Sequence, residues 1–364
     1  MKTKKIIWIT ADYFLDVDKA IVPYLRDKIK LDIKWYVFCS PNSKVEIPKG
    51  IIDKVFQLSS RNKSPKCFIE YYSIFKQMRV DKADIIYSDA VSFPFYYPAL
   101  FLAHKRKTPI VHAAHNVIPY PVWPTSLRWY VRYIFHYNNH FQLFSKFTTQ
   151  YFKKHYPKKS MFYAPMTVKD FGDVTTNNYN LDENKVNLLF FGNVIENKRL
   201  DLLIDAIKEL PPNIQEQVHL NICGKCNEPE QYIKQINDCK AISTYFKRID
   251  DCEIAELFTK NNFFMLPYQD VAQSGPHMIA YNYNLPVIAS DINGFAERVE
   301  NGKNGFLFHR NDVESLKQTI IKAVNLNSNE YTSIKKRLKE YTAKNFSVEV
   351  VAQKYVDYFN SIEL

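Results

Sequence analysis

Glycine is scarce in this chain: there are eight copies in 364 residues, and none precedes Gly50. Glycine alone takes left-handed backbone without strain, so each copy present marks a turn or a close approach more pointedly than usual. Long apolar runs are missing too. No stretch of about 18 uncharged apolar residues exists, which excludes a bilayer-spanning helix. The short apolar run in MKTKKIIWIT stops at Asp12 and has no small-residue cleavage site, so it reads as a buried first strand rather than a secretory signal. Cysteines are few and scattered, at 39, 67, 223, 226, 239 and 252, which fits a reduced cytoplasm. Cys223 and Cys226 make a lone CxxC with no second pair or ligand-spaced histidines, so no metal site is expected.

Acidic residues are absent from one long stretch. From Ala90 to Lys169 there is no Asp or Glu, while eleven Lys/Arg occur: Lys105, Arg106, Lys107, Arg128, Arg132, Lys146, Lys153, Lys154, Lys158, Lys159 and Lys169. The rest of the chain balances, 38 basic against 38 acidic residues, so this stretch carries the whole net charge of +11. A field of one sign attracts anionic partners. Within residues 123–163 the cations interleave with fourteen aromatics, as in LRWYVRYIFHY. Arg128, Trp129 and Arg132 are candidates for docking on an anionic membrane surface, where aromatic rings and snorkelling cations suit the headgroup layer. The bland alternative places the aromatics in the core. A nucleic-acid partner is not expected, because no zinc-finger, RNP or helix-turn-helix pattern accompanies the charge.

What is present is a strand–helix alternation. Lys5–Thr10, Ile33–Phe38, Ala83–Ser88 and Pro109–His112 read as strands, with helical spacing over Ala20–Lys30. After Pro165 the pattern lapses, and a second series begins with VNLLFFG (Val186–Gly192). Its later strands are Val218–Gly224, Asn262–Tyr268 and Leu285–Ser290, with helices over Leu200–Leu210, Glu253–Lys260, Val313–Val324 and Ser328–Phe346. This predicts an α/β chain of two Rossmann-like, doubly wound domains facing across a cleft. The expected division is 1–168, a linker 169–185, a second domain 186–345, and a C-terminal helix 346–364 packing back on the first domain.

The residues with chemical content lie beyond the carboxyl ends of strands. Gln273-Ser274-Gly275-Pro276 opens a helix, and the N–H groups of a helix start favour a phosphate. Gly275 permits close approach, and Pro276 suits the first helical position. The order PY…QSG…A…PVIAS…G…E.V…G.NG.L, preceded by GNVIENKRLDLLIDAI, resembles the C-terminal donor domain of GT-B glycosyltransferases of family 4, or group 1, over about Val186–Asp312. The resemblance implies sugar transfer from a nucleotide sugar, UDP- or GDP-linked, to a glycan or lipid-linked acceptor. It further implies retention of configuration, a role in bacterial polysaccharide or glycolipid synthesis, no required cofactor, and a cytoplasmic site of action, peripheral on the membrane. The alternatives are another GT-B enzyme, such as a nucleotide-sugar epimerase, or a non-enzymatic basic protein that binds nucleic acid or membrane.

By the same resemblance, Lys198 is a diphosphate-binding lysine, and Gly192, Asn193, Arg199, Gln273, Ser274 and Gly275 flank the donor. Glu297 stands near the nucleoside ribose. Asn193 replaces a common arginine, and Arg199 replaces a glycine and is expected to take over part of the charge work. Val271 and Ile279 stand where many members carry paired glutamates. In the first half, TPIVHAAHNVIPYP (Thr108–Pro121) resembles the family's strand followed by His-Asn or His-Asp, which makes His115 the second catalytic candidate beside Lys198. Asp16 and Asp18 form a DxD just after the first strand; without a metal-site context they read as a solvated loop or helix start, with an acceptor loop as the functional alternative.

Overall fold

The computed structural model describes residues 4–61, 64–90, 94–104, 108–118, 124–179, 181–271 and 273–364. Lys105, Arg106, Lys107, Trp123 and Pro119–Pro121 therefore lie outside the described residues. The chain divides into two units, Met1–Thr167 with Val348–Leu364, and Val168–Ser347.

The first unit is a seven-stranded sheet of β1 (Lys5–Ala11), β2 (Asp32–Cys39), β3 (Lys54–Gln57), β4 (Ile85–Asp89), β5 (Ile110–Ala114), β6 (His140–Leu143) and β7 (Ser160–Tyr163). Their order is β3-β2-β1-β4-β5-β6-β7. Helices α1 (Leu15–Pro23), α2 (Pro65–Met78), α3 (Tyr96–His104), α4 (Thr125–Tyr137) and α5 (Lys146–His155) supply the crossovers. The first helix begins at Leu15, earlier than the spacing predicts. Pro23 cannot donate to its ladder, and the chain continues through a π-helical turn over Tyr24–Lys28.

The second unit carries β8 (Val186–Phe191), β9 (Val218–Cys223), β10 (Ile242–Tyr245), β11 (Phe263–Leu266), β12 (Val287–Ser290) and β13 (Gly305–Phe308), in the order β10-β9-β8-β11-β12-β13. Its helices are α6 (Leu200–Lys208), α7 (Pro212–Gln215), α8 (Pro229–Ile236), α9 (Asp251–Lys260), α10 (Gly275–Asn282), α11 (Asn293–Ala296), α12 (Val313–Val324) and α13 (Ser328–Phe346). Every described strand pair is parallel, for example β1 with β4 and β8 with β9. Both sheets follow the 3-2-1-4-5-6 order of the doubly wound nucleotide-binding fold, the first with one strand added. The order reverses between β1 and β4, and again between β8 and β11. Ligands of such sheets bind outside the carboxyl ends at those reversals. The central strands are buried on both faces, as parallel sheets require; Ile85–Asp89 and Phe263–Leu266 contain no exposed residue.

Helix α14 (Val348–Ser361) packs on the first unit through aromatic rings. Tyr355 lies 5.3 Å from Trp8 and 5.7 Å from Tyr87, and Phe162 stacks on Tyr358 at 4.2 Å. The polar segment after Val168 is strapped to α9 rather than loose. The Glu256 carboxylate accepts bonds from the backbone N–H of Asn178 and of Tyr179 and from the Thr176 hydroxyl, and Tyr179 is buried.

Candidate functional site

In the second unit, the chain leaves β8 through Gly192, at φ +100. A β-carbon on Gly224, at the end of β9, would lie 2.1 Å from the Gly192 carbonyl oxygen, so this crossing of two strand ends requires glycine. Lys198 ends a short 3-10 turn over Glu196–Lys198. That turn is tied to the loop after β11: the Gln269 N–H donates to the Asn197 carbonyl at 2.8 Å, and the Asn197 amide donates to the Asp270 carbonyl at 2.7 Å. The Lys198 ammonium thereby comes back over the end of β8. It lies 2.8 Å from the position a Gly192 β-carbon would take, and that position is 3.9 Å from Pro276. It donates to the Phe191 carbonyl at 3.4 Å and sits 5.5 Å from the Tyr268 ring. Burial lowers its pKa from 10.5 to about 8, because removing an ammonium from water penalises the charged form.

Helix α10 begins where Lys198 arrives. Ser274 is its N-cap, accepting from the His277 N–H at 3.4 Å. Pro276 has no N–H, so the amides of Ser274 and Gly275 are the ones this helix start can offer an anion. The Ser274 hydroxyl keeps its proton for donation while its oxygen caps the helix. The preceding loop is fitted tightly: a β-carbon on Gly294 would meet the Val271 carbonyl oxygen at 2.2 Å. Gly192, Lys198, Gly275 and Ser274 are thus brought together, with Gln273 on the adjoining loop.

The other candidates of this half have partners or settings of their own. Arg199 has φ +49, a left-handed position, which explains why a glycine suits this place. Its guanidinium is engaged by Asp201 at 2.8 to 3.1 Å and by Asn311 at 2.5 Å. Its guanidinium is thus paired at the first turn of α6. Asn193 is exposed. Glu297 follows α11, with its carboxylate 3.5 Å from the buried Arg298.

In the first unit, Asp89 ends β4 and His115 follows β5. The His115 Nε2 and an Asp89 carboxylate oxygen are 2.6 Å apart, both buried. Phe14 stacks on one ring contact of the imidazole at 3.9 Å and 8°, and Phe144 stacks at 4.3 Å and 20°. These contacts fix the ring's plane, and the carboxylate fixes its rotation. A cavity of 310 Å³ opens here, lined by Tyr13, Phe14, His112, His115, Asn116 and Val131 among others. The loop after β1 turns without glycine because the Asp12 carboxylate accepts from the N–H groups of Tyr13 and Ser40, each at 2.9 Å. Asp12, Phe14 and Asp89 were not legible as site residues, since none lies in a recognisable spacing.

Asp16 is exposed, but Asp18 is not the solvated residue its DxD setting suggests. It is 1% exposed and accepts from Trp8 Nε1 at 2.8 Å and Thr10 Oγ1 at 2.5 Å. Burial, with the Asp89 carboxylate nearby, holds its pKa well above the usual carboxylate range. Of the aromatics within residues 123–163, Tyr130, Phe135, Phe141, Phe144 and Phe152 are core. Trp129, Tyr137 and Phe147 are exposed, Trp129 at 65%. Arg132 lies 5.6 Å from the Trp129 ring, and the two share a groove with Tyr133, His136, Tyr137 and Lys158. Arg128 is half-buried beside them on α4. No described helix is long and apolar enough to cross a membrane.

A model of the family described as "Glycosyl transferases group 1" matches residues 173–344. The chain is 25% identical over 182 residues to the uncharacterized glycosyltransferase MJ1069 of Methanocaldococcus jannaschii, covering 50% of this chain and 46% of that protein. It is 30% identical over 140 residues to the uncharacterized glycosyltransferase MJ1178 of the same organism, covering 38% of each. It thus spans less than half the length of the curated relatives it matches. Among solved structures, HepE (Alr3699) of Anabaena, determined in complex with UDP and glucose, superposes with a TM-score of 0.74 at 17% identity, over 99% of this chain and 100% of that one. That likeness is one of fold: two Rossmann-like domains, as in GT-B glycosyltransferases.

Proposed function

We propose, from a chain whose residues 173–344 carry a group 1 glycosyl transferase domain on a GT-B fold, that this protein moves a sugar from a nucleotide-sugar donor to a glycan or lipid-linked acceptor. The observation that carries this reading is the Lys198 ammonium, held against Gly192 and Pro276 at the start of α10. As the glycosidic bond to the donor breaks, charge builds on the departing diphosphate. A desolvated ammonium and two helix-start amides stabilise that charge more in the transition state than in the ground state. In this reading Ser274 and Gly275 hold the phosphates, Gln273 borders them, and Glu297 receives ribose hydroxyls. His115, oriented by Asp89, contacts the reacting sugar or moves a proton there. The donor is UDP- or GDP-linked, transfer proceeds with retention, and no further cofactor is required.

The acceptor belongs to bacterial polysaccharide or glycolipid synthesis, and the enzyme works in the cytoplasm at the inner membrane surface. Support for the membrane comes from Trp129, Tyr137 and Phe147, exposed within an acid-free basic stretch. Each cation near an anionic leaflet contributes about 1 kcal/mol.

The test is a thermal-shift screen of UDP-, GDP- and ADP-sugars, followed by detection of nucleoside diphosphate release with candidate acceptors. A stabilising donor whose nucleotide is released only with acceptor is the expected result. No stabilisation by any nucleotide sugar or nucleoside diphosphate would overturn the reading.

A further inference from the structure

The cavity beside His115 is apolar in a stretch of chain that is otherwise rich in cations. It measures 310 Å³, near the lower end of the roughly 300–1,000 Å³ usual for small-ligand sites. Leu127, Val131 and Ile134 of α4 line it, and their spacing places them on one face of that helix. Val131 and Ile134 are buried, and Leu127 is half-buried. The loop after β1 adds Phe14, and the end of β5 adds Ala114. No Asp, Glu, Lys or Arg occurs among the described lining residues, although α4 carries Arg128 and Arg132. Arg132 lines the groove with Trp129 instead. The helix therefore separates its charge from the wall it gives to this cavity.

The polar groups that border the cavity are few. His112 brings no charge: its Nδ1 is hydrogen-bonded to the Tyr97 hydroxyl, and burial pushes its pKa down to about 3. His115 and Asn116 stand together just past β5, and Asn116 and Tyr13 are exposed. A sugar ring carries hydroxyls around its edge, and a phosphate carries charge. Either would bring into this space polar atoms that the α4 wall cannot pair, at the cost of burying them unsatisfied. An alkyl or prenyl chain has no such cost and gains by leaving water. The lining thus suits a molecule with a polar end at His115 and Asn116 and an apolar chain against α4.

We propose that this cavity holds the apolar chain of the acceptor, which is therefore an amphiphile whose alkyl or prenyl chain begins close to the hydroxyl end presented at His115. The inference rests on the reading above that His115 stands at the reacting sugar, and it narrows the acceptor to the lipid-like class.

The experiment is calorimetry on the full chain with methyl, butyl, hexyl and octyl β-D-glucoside as probes, each below its micelle concentration. Affinity should tighten about three- to fourfold for each methylene buried, until the cavity is full. V131F fills the cavity and should weaken octyl glucoside about tenfold or more. Should V131F fail to melt cooperatively, L127E, which puts a charge at the half-buried wall, takes its place with the same expected loss. An affinity that does not depend on chain length overturns the proposal. So does octyl binding that survives these variants and is lost in W129S, which puts the chain in the groove of Trp129 and Arg132. Titration of UDP and GDP into the same protein separates the two readings. Nucleotide binding without chain-length dependence rejects the cavity assignment alone. Chain-length dependence in a protein that binds no nucleotide rejects the sugar-transfer reading and the acceptor role of the cavity with it.

Discussion

Replacing Lys198 by methionine should make the ligand-free protein more stable and the diphosphate weaker-binding. Burial lowers this ammonium's pKa from 10.5 to about 8. Holding it charged at pH 7 therefore costs up to about 3 kcal/mol relative to a solvated lysine. Methionine fills the same space without that cost. It gives up the attraction to the Tyr268 and Phe190 rings at 5.5 and 5.9 Å, worth about 1 kcal/mol. The net expectation is a gain of about 2 kcal/mol in urea unfolding at pH 7. The sign follows from linkage. Between pH 8 and 10.5 the unfolded chain binds more protons at this position than the folded one, so wild-type stability rises with pH through that window. The advantage of K198M is full below pH 8 and disappears as the pH approaches 10.5. Binding should move the other way. Loss of a charge-assisted hydrogen bond weakens pyrophosphate by roughly 10- to 100-fold. Wild-type affinity itself should fall as pH rises above about 8, where the lysine loses its proton. A K198M protein that is less stable than wild type at pH 7 and binds pyrophosphate equally well would refute the reasoning.

His115→Ala should lower turnover at least about 100-fold with little change in nucleotide affinity, and steady-state kinetics beside calorimetry will separate the two. Asp89→Asn keeps the shape but not the charge beside His115; a turnover loss of about tenfold or more, with an altered pH profile, is expected, and an unshifted profile would leave Asp89 a packing residue. Gly294→Ala drives a β-carbon to 2.2 Å from the Val271 carbonyl oxygen; melting should show a loss of roughly 2 kcal/mol or more, with weakened donor binding. Reversing charge at Arg132 together with Trp129→Ser should abolish sedimentation with anionic vesicles at low salt, and an unaffected protein that still sediments would move the membrane contact elsewhere.

The alternation of strand and helix, and the helix start at Ser274–Pro276, followed from the chain's own order. Both depend on local rules: apolar periodicity selects the element, and a cap, a glycine and a proline in sequence select a helix start. Gly192 could likewise be singled out, because a glycine closing an apolar strand has few other uses in a chain with eight. The partners of these residues were decided by tertiary structure. Asp89 and His115 are 26 residues apart and meet only because β4 and β5 are neighbours. Asp18 looks solvated in sequence, but its helix turns it inward onto Trp8 and Thr10. Arg199 reads as a spare cation until Asp201 and Asn311 close around it. Lys169 reads as linker until the chain lies along α10. Whether a charge is buried, paired or offered to a ligand depends on which distant segments pack around it, and parallel crossovers bring together residues whose separation along the chain carries no signal of their contact.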